Sequence, residues 1–147
     1  MDCVPVLHGD VVRNAVDDTL TILSGDVLMQ SLTKILPVKH AVFLTDVDGI
    51  FHPSPRDPEA YLMRWVNVDG DGDGDGDGDG DDDVTQRYET VKGDVTGGMR
   101  LKVEMARVMA QHGVDVAIVN AWSMDNAVNA CLAQIDENWI GTQLSLQ

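Results

Sequence analysis

Three short strings in this sequence have residue types and spacing suited to chemistry on a phosphate. The first is Asp94-Val-Thr-Gly-Gly-Met-Arg-Leu-Lys102. Paired glycines at a helix start let backbone N–H groups approach an anion, and the helix dipole adds partial positive charge. A lysine just over one turn into the helix can reach a terminal phosphoryl oxygen. The same pattern also describes a flexible loop followed by an ordinary surface lysine. It is not a Walker loop, because no GxxxxGK[ST] occurs in the chain. The second and third strings, Ser24-Gly25-Asp26 and Thr45-Asp46, each follow an apolar run. A carboxylate there could orient a lysine beside phosphate, and glycine leaves room for a ligand. The plainer alternatives are a helix start with Ser24 as its cap and an Asx turn.

Other residues with chemical potential carry less. Asp69 to Asp83 contains nine aspartates and six glycines. Asp-x-Asp-x-Asp-Gly opens an EF-hand loop, but that loop needs a glutamate at its twelfth position. Starts at Asp69, Asp73, Asp75, Asp77 and Asp79 reach Gly80, Val84, Gln86, Tyr88 and Thr90, and only Asp71 reaches an acid, Asp82. The tract reads as a solvated, disordered loop that binds divalent ions weakly and without specificity. His8, His40, His52 and His112 share no spacing and read as satisfied or solvent-facing side chains. Cys3 and Cys131 form no CxxC or Cys/His cluster, so they are expected as small, buried or partly buried residues without disulfide or zinc.

The elements that must position these strings follow from hydrophobic periodicity. Val4 to His8 and Thr19 to Leu23 are apolar and β-branched, each closed by a Gly-Asp pair, which predicts two strands ending in tight turns. After Ser24, a helix is predicted from Asp26 to Leu36, with Val27, Leu28, Leu32, Ile35 and Leu36 at helical spacing and Pro37 as its stop. Ala41 to Leu44 reads as a buried parallel strand, followed by the polar turn Thr45 to Gly49 and a loop through Pro53, Pro55 and Pro58. Tyr61 to Val68 and Val84 to Val91 are predicted as an excursion of two short strands around the acidic tract.

A helix from Gly97 to Gln111 places Met99, Val103, Ala106 and Ala110 on one face, with Asp94 or Thr96 as cap and Gly113 as its end. Val114 to Val119 is another buried strand, Asp125 to Gln134 a shorter helix, and Ile140 to Leu146 a last turn and edge strand. Alternating strands and helices imply βαβ units and an α/β domain with a largely parallel sheet. Ligands bind such sheets at the carboxyl ends of the strands, where Gly9-Asp10, Ser24-Gly25-Asp26, Thr45-Asp46 and Asn120-Ala121 are placed.

Length and charge narrow the field. The 147 residues, 44% of them apolar, suit one domain with a sizeable core, and a disordered chain is excluded. The formal net charge is minus 15, and without the nine aspartates of the tract it is minus 6. That balance argues against nucleic acid or an anionic membrane as main partner, since both require compensating Lys and Arg. No run approaches the roughly 20 apolar residues that span a bilayer, and the N-terminus lacks a signal-peptide pattern. A cytoplasmic protein is expected.

Taken in order, Pro5-Val-Leu-His-Gly-Asp-Val-Val12, Ile22-Leu-Ser-Gly-Asp26, Leu44-Thr-Asp-Val-Asp-Gly-Ile-Phe51, Asp94-Val-Thr-Gly-Gly-Met99 with Lys102, and Gly141-Thr142 resemble the amino acid kinase superfamily. The LHGDVV and ILSGD strings are similar, within it, to isopentenyl phosphate kinases. The resemblance implies a three-layer αβα sandwich with a mainly parallel sheet, of which residues 1–147 would be the C-terminal, nucleotide-binding half, with 69–83 an insertion. It implies transfer of the ATP γ-phosphoryl group to isopentenyl phosphate in isoprenoid biosynthesis, with Mg2+ entering on the ATP phosphates. By resemblance, Gly25 lies against the substrate phosphate and Asp26 orients the lysines. Asp46, Gly98 and Lys102 bind ATP, and Lys102 stabilises the transferring charge.

In this family the first half supplies a Gly-rich loop with a lysine, a second basic residue, a phosphate-binding histidine and most of the prenyl pocket. The resemblance places all of these ahead of the strings found here, so residues 1–147 are expected to lack them, and His8 belongs to the LHGD string. Two further readings therefore stand beside the kinase: a noncatalytic nucleotide-binding or regulatory module, and an acidic divalent-cation-binding protein. A sheet left open at its first strand leads us to expect a chain that is marginally stable, a homodimer or aggregation-prone.

Overall fold

A computed structural model describes residues 4–52, 58–68 and 98–146. The acidic tract, the strand expected at Val84 to Val91, the caps Asp94 and Thr96, and Cys3 lie outside the described residues. Two strands open the fold, β1 (Asp10–Arg13) and β2 (Leu20–Leu23), paired antiparallel with Asp10 opposite Leu23. The strand expected at Val4 to His8 is not one. Asp10–Arg13 takes the pairing instead, because the Asn14-to-Thr19 loop folds it back on β2. Asn14 and Asp17 side chains accept from the backbone N–H groups of Val16 and Thr19 and fix that loop. The Gly9-Asp10 pair thus opens a strand rather than closing one.

Helix α1 (Gly25–Ile35) starts at Ser24, whose Oγ accepts the Val27 N–H at 3.3 Å. It ends because Leu36 precedes a proline and is extended, at ψ 148°. Its apolar stripe is only partly used. Met29 packs on the core, whereas Ile35 is 76% exposed and Leu36 51%.

The main sheet has the order β3-β7-β8-β6, with β3 (His40–Thr45), β6 (Trp65–Asn67), β7 (Asp115–Asn120) and β8 (Thr142–Ser145). β3 runs parallel to β7, and β6 parallel to β8, while β7 and β8 are antiparallel. A small antiparallel pair, β4 (Phe51–His52) with β5 (Tyr61–Leu62), sits beside it. Two expectations change here. Tyr61 to Val68 divides into β5 and β6, and β6 joins the main sheet. β8 is then an interior strand, because β6 covers the edge it was expected to leave open. Alternation along an isolated segment says which face is buried but not which strands will flank it.

Helix α2 (Gly98–Gln111) covers one face of the sheet, its Val103, Ala106, Met109 and Ala110 packing on Ala41, Phe43, Val116, Ile118 and Leu144. It closes in a Schellman motif: Val114 N donates to Met109 O, Gly113 N donates to Ala110 O, and Gly113 has φ +79°. α1 packs against α2 on that side. Helix α3 (Met124–Cys131) covers the opposite face with Ala127 and Ala130 against Ala117, Val119 and Trp139, which completes three layers.

α3 is shorter than the predicted Asp125 to Gln134. Ala133 turns left-handed at φ +54° and closes a second Schellman pair, with Gln134 N donating to Asn129 O and Ala133 N to Ala130 O. Cys131 is an exposed free thiol, not a buried one, since Ala127 and Ala130 take the core-facing positions of α3 and Cys131 turns to solvent with Val128. Among the described residues no helix is long and apolar enough to cross a membrane.

Candidate functional site

α1 leads into β3 and α2 into β7 through short connections, so each helix runs against the strand it feeds. Both helix N-termini therefore lie at the end of the sheet where β3 and β7 finish. Lys102, in the second turn of α2, donates from Nζ to Asp26 Oδ2 of the first turn of α1 at 2.9 Å. The two side chains are 25% and 16% exposed, well below the level at which water removes most of an ion pair's value. Asp26 is doubly placed: it sits where the α1 dipole favours negative charge, and it fixes a cation that has two further N–H groups.

Gly25 is exposed beside this pair, and a Cβ built on it would meet nothing within 4 Å, so the space over the α1 N-terminus is open. Gly98 begins α2 at φ +51°, and the first turn of α2 has no acidic side chain. Two helix N-termini and an oriented ammonium group thus share one rim, an arrangement that can hold a multiply charged anion.

Thr45 and Asn120 organise the strand ends between the helices. Thr45 Oγ1 donates to Val47 O at 2.6 Å, and Ala121 N donates to Thr45 O at 2.8 Å. Asn120 Nδ2 donates to Asp48 Oδ1 at 2.9 Å, and its Oδ1 accepts from Trp122 N at 2.9 Å. The turn after β3 is thereby tied to the turn after β7, and Asp46 projects from it as an exposed residue. Because β8 is antiparallel to β7, its first residue, Thr142, lies beside Ile118 near the same rim. Thr142 is fully buried; its Oγ1 donates to Met63 O at 2.6 Å and accepts from Ile50 N at 2.8 Å. Arg64 donates to the carbonyls of Asp136, Glu137 and Trp139 and so holds the 136–141 loop that leads into β8.

The structure thus brings together Lys102, Asp26 and Gly25, places Gly98 one turn below Lys102, and sets Asp46 on the neighbouring turn. Gly9 has a positional reason as well: a Cβ there would stand 2.3 Å from Leu23 O and 3.2 Å from Gly25 N, so only glycine lets the chain just before β1 pass the start of α1 this closely. Local sequence does not mark the roles of Asn120, Thr142 and Arg64, because Asp48, Ile50, Met63 and the 136–139 carbonyls that they bond are tens of residues distant in the chain. The histidines behave as expected: His40 Nε2 donates to Ala130 O, His112 Nδ1 to Val108 O and His8 Nδ1 to Gly9 O, while His52 packs against Tyr61 with ring centroids 5.5 Å apart and planes tilted by 57°.

Comparison with known proteins adds an independent line. Residues 1–120 match the Amino acid kinase family. The chain is 40% identical over 148 aligned positions to an isopentenyl phosphate kinase of Arabidopsis thaliana, covering 95% of this chain and 44% of that one. It is 34% identical over 134 positions to an isopentenyl phosphate kinase of Methanothermobacter thermautotrophicus, covering 89% and 46%. The product complex of the T. acidophilum isopentenyl phosphate kinase superposes with a TM-score of 0.63 at 25% identity, over 93% of this chain and 45% of that one. The chain spans slightly under half the length of the relatives it matches.

Proposed function

The chain belongs to the amino acid kinase family, and from that premise we propose that it is the ATP-binding unit of an isopentenyl phosphate kinase. Residues 1–147 then form one partial kinase domain, its C-terminal half. The observation that carries the reading is the Lys102–Asp26 pair at the converging N-termini of α1 and α2. In the reaction, an oxygen of the isopentenyl phosphate phosphoryl group attacks the γ-phosphorus of ATP. The bond from γ-phosphorus to the bridging oxygen breaks, and ADP leaves with that electron pair. Such transfers are catalysed chiefly by positioning and charge neutralisation. Lys102 would supply the charge, Asp26 would hold it in place, Gly25 would admit the acceptor phosphate, and Gly98 and Asp46 would flank the nucleotide.

Magnesium fits as an ion held mainly by ATP phosphates and water, since among the described residues no three His, Cys, Asp or Glu side chains converge on one point. A second reading, a nucleotide-binding unit that transfers no phosphate by itself, is favoured by the 44–46% of the relatives' length that the chain spans. The two are separated by calorimetry of Mg·ATP binding to the chain and to Lys102→Ala, followed by addition of isopentenyl phosphate and assay for ADP. Saturable binding that weakens at least about tenfold in the variant supports the nucleotide site. ADP release then selects the kinase, binding without turnover selects the second reading, and no binding refutes both.

A further inference from the structure

We propose that Trp122 is the face on which the nucleobase stacks, a reading that rests on the nucleotide site above. Trp139, packed in the core beneath α3, shows what a structural indole does in this fold: it is 3% exposed and its Nε1 donates to Asn126 O at 2.8 Å. Trp122 does the reverse. Its side chain is 86% exposed, and Met124, two residues on, is 68% exposed. An aromatic side chain can bury about 150–250 Å², and none of the core gains that area here.

The backbone beneath it is nevertheless held firmly. Trp122 N donates to Asn120 Oδ1, Asn120 Nδ2 donates to Asp48 Oδ1, and Ala121 N donates to Thr45 O. Those bonds tie the backbone at Trp122 to the turn that carries Asp46. A flat apolar ring on a fixed backbone at the end of β7 is suited to another flat ring, since the backbone is already ordered and only the two side-chain torsions remain to be fixed on stacking.

Charge decides which end of a nucleotide belongs there. Asp46 and Asp48 lie on the turn that Asn120 ties to the Trp122 backbone, and Asp125 follows three residues after Trp122, so this end of the rim carries negative charge that disfavours phosphate and can accept from amino groups such as that of adenine. Lys102 and the two helix N-termini attract phosphate at the other end. The base therefore lies toward Trp122 and the triphosphate toward Lys102.

The test compares Mg·ATP with Mg·tripolyphosphate, which has the phosphates but no base, on the full chain, on Trp122→Ala and on Trp122→Phe. Base stacking on an aromatic side chain predicts that Trp122→Ala weakens ATP about tenfold or more while tripolyphosphate affinity is unchanged. Trp122→Phe should keep most of the ATP affinity. ATP should quench tryptophan emission of the wild-type chain, tripolyphosphate should not, and the quench should vanish in Trp122→Phe. ATP affinity within twofold of wild type in Trp122→Ala, or equal losses for both ligands, overturns the stacking role while leaving the phosphate site standing. Failure of both ligands to bind the wild-type chain overturns the nucleotide reading itself, and this inference with it.

Discussion

A double-mutant cycle on Asp26 and Lys102 tests whether the lysine is held before any anion arrives. At 2.9 Å, two unit charges attract by about 6 kcal/mol at an effective dielectric near 20. Desolvation of the two partly buried groups, each costing several kcal/mol, and the ordering of a long lysine side chain offset most of that. The net coupling should lie between that of an exposed pair, about 0.2–1 kcal/mol, and the 3–5 kcal/mol lost when a fully buried pair is broken. We expect about 1–2 kcal/mol.

The assay is urea unfolding of the wild-type chain, Asp26→Asn, Lys102→Met and the double variant. Each single variant should lose roughly 2 kcal/mol, with the double variant losing less than their sum. Because the pair is mostly shielded, the coupling should persist in 0.5 M salt, roughly three Debye-length halvings away from the dilute limit where exposed pairs act. Additivity within about 0.3 kcal/mol would refute the reasoning. Lys102 would then be a solvated side chain, and Asp26 could not serve to orient it.

Three further outcomes follow from the structure. Thr142→Val keeps the shape of a fully buried side chain but strands Ile50 N–H and Met63 C=O; at about 1–3 kcal/mol per orphaned group the unfolding free energy should fall by about 2–6 kcal/mol, Thr142→Ser should restore most of it, and a loss below about 1 kcal/mol would contradict the bonding. Ala133→Gly relieves a left-handed alanine at φ +54° after α3 and should stabilise by about 0.5–1 kcal/mol, read as a higher thermal midpoint. The side chain of Asp17 accepts from Thr19 Oγ1 at 2.7 Å and from Thr19 N at 3.1 Å, which holds its pKa below the ordinary 3.8. Its contribution to the β1–β2 hairpin is thus complete above pH 3.8 and lost as pH falls below that value, so hairpin amide exchange should rise there in the wild-type chain and not in Asp17→Asn.

How far the sequence could be read depended on whether a feature was local. The start of α1 at Ser24, its stop before Pro37, the buried face of α2 and its end at Gly113 all follow from periodicity, caps and breakers within a few residues. The phosphate-suited pair was legible as two separate residues, Asp26 and Lys102, because glycines and helix starts mark them. What set them at hydrogen-bond distance across 76 positions of chain was the packing of α1 on α2.

Composition, periodicity and the ordered strings determined the α/β class, the helices and the rim residues of this protein, since each is encoded by neighbours in the chain. Tertiary structure decided the rest. It moved the first strand from Val4–His8 to Asp10–Arg13, because a strand exists only where a partner accepts its hydrogen bonds. It split Tyr61 to Val68 between two sheets and turned β8 into an interior strand. It left Trp122 in water and buried Trp139 between α3 and the sheet, against Ala127, Ala130, Ala117 and Val119.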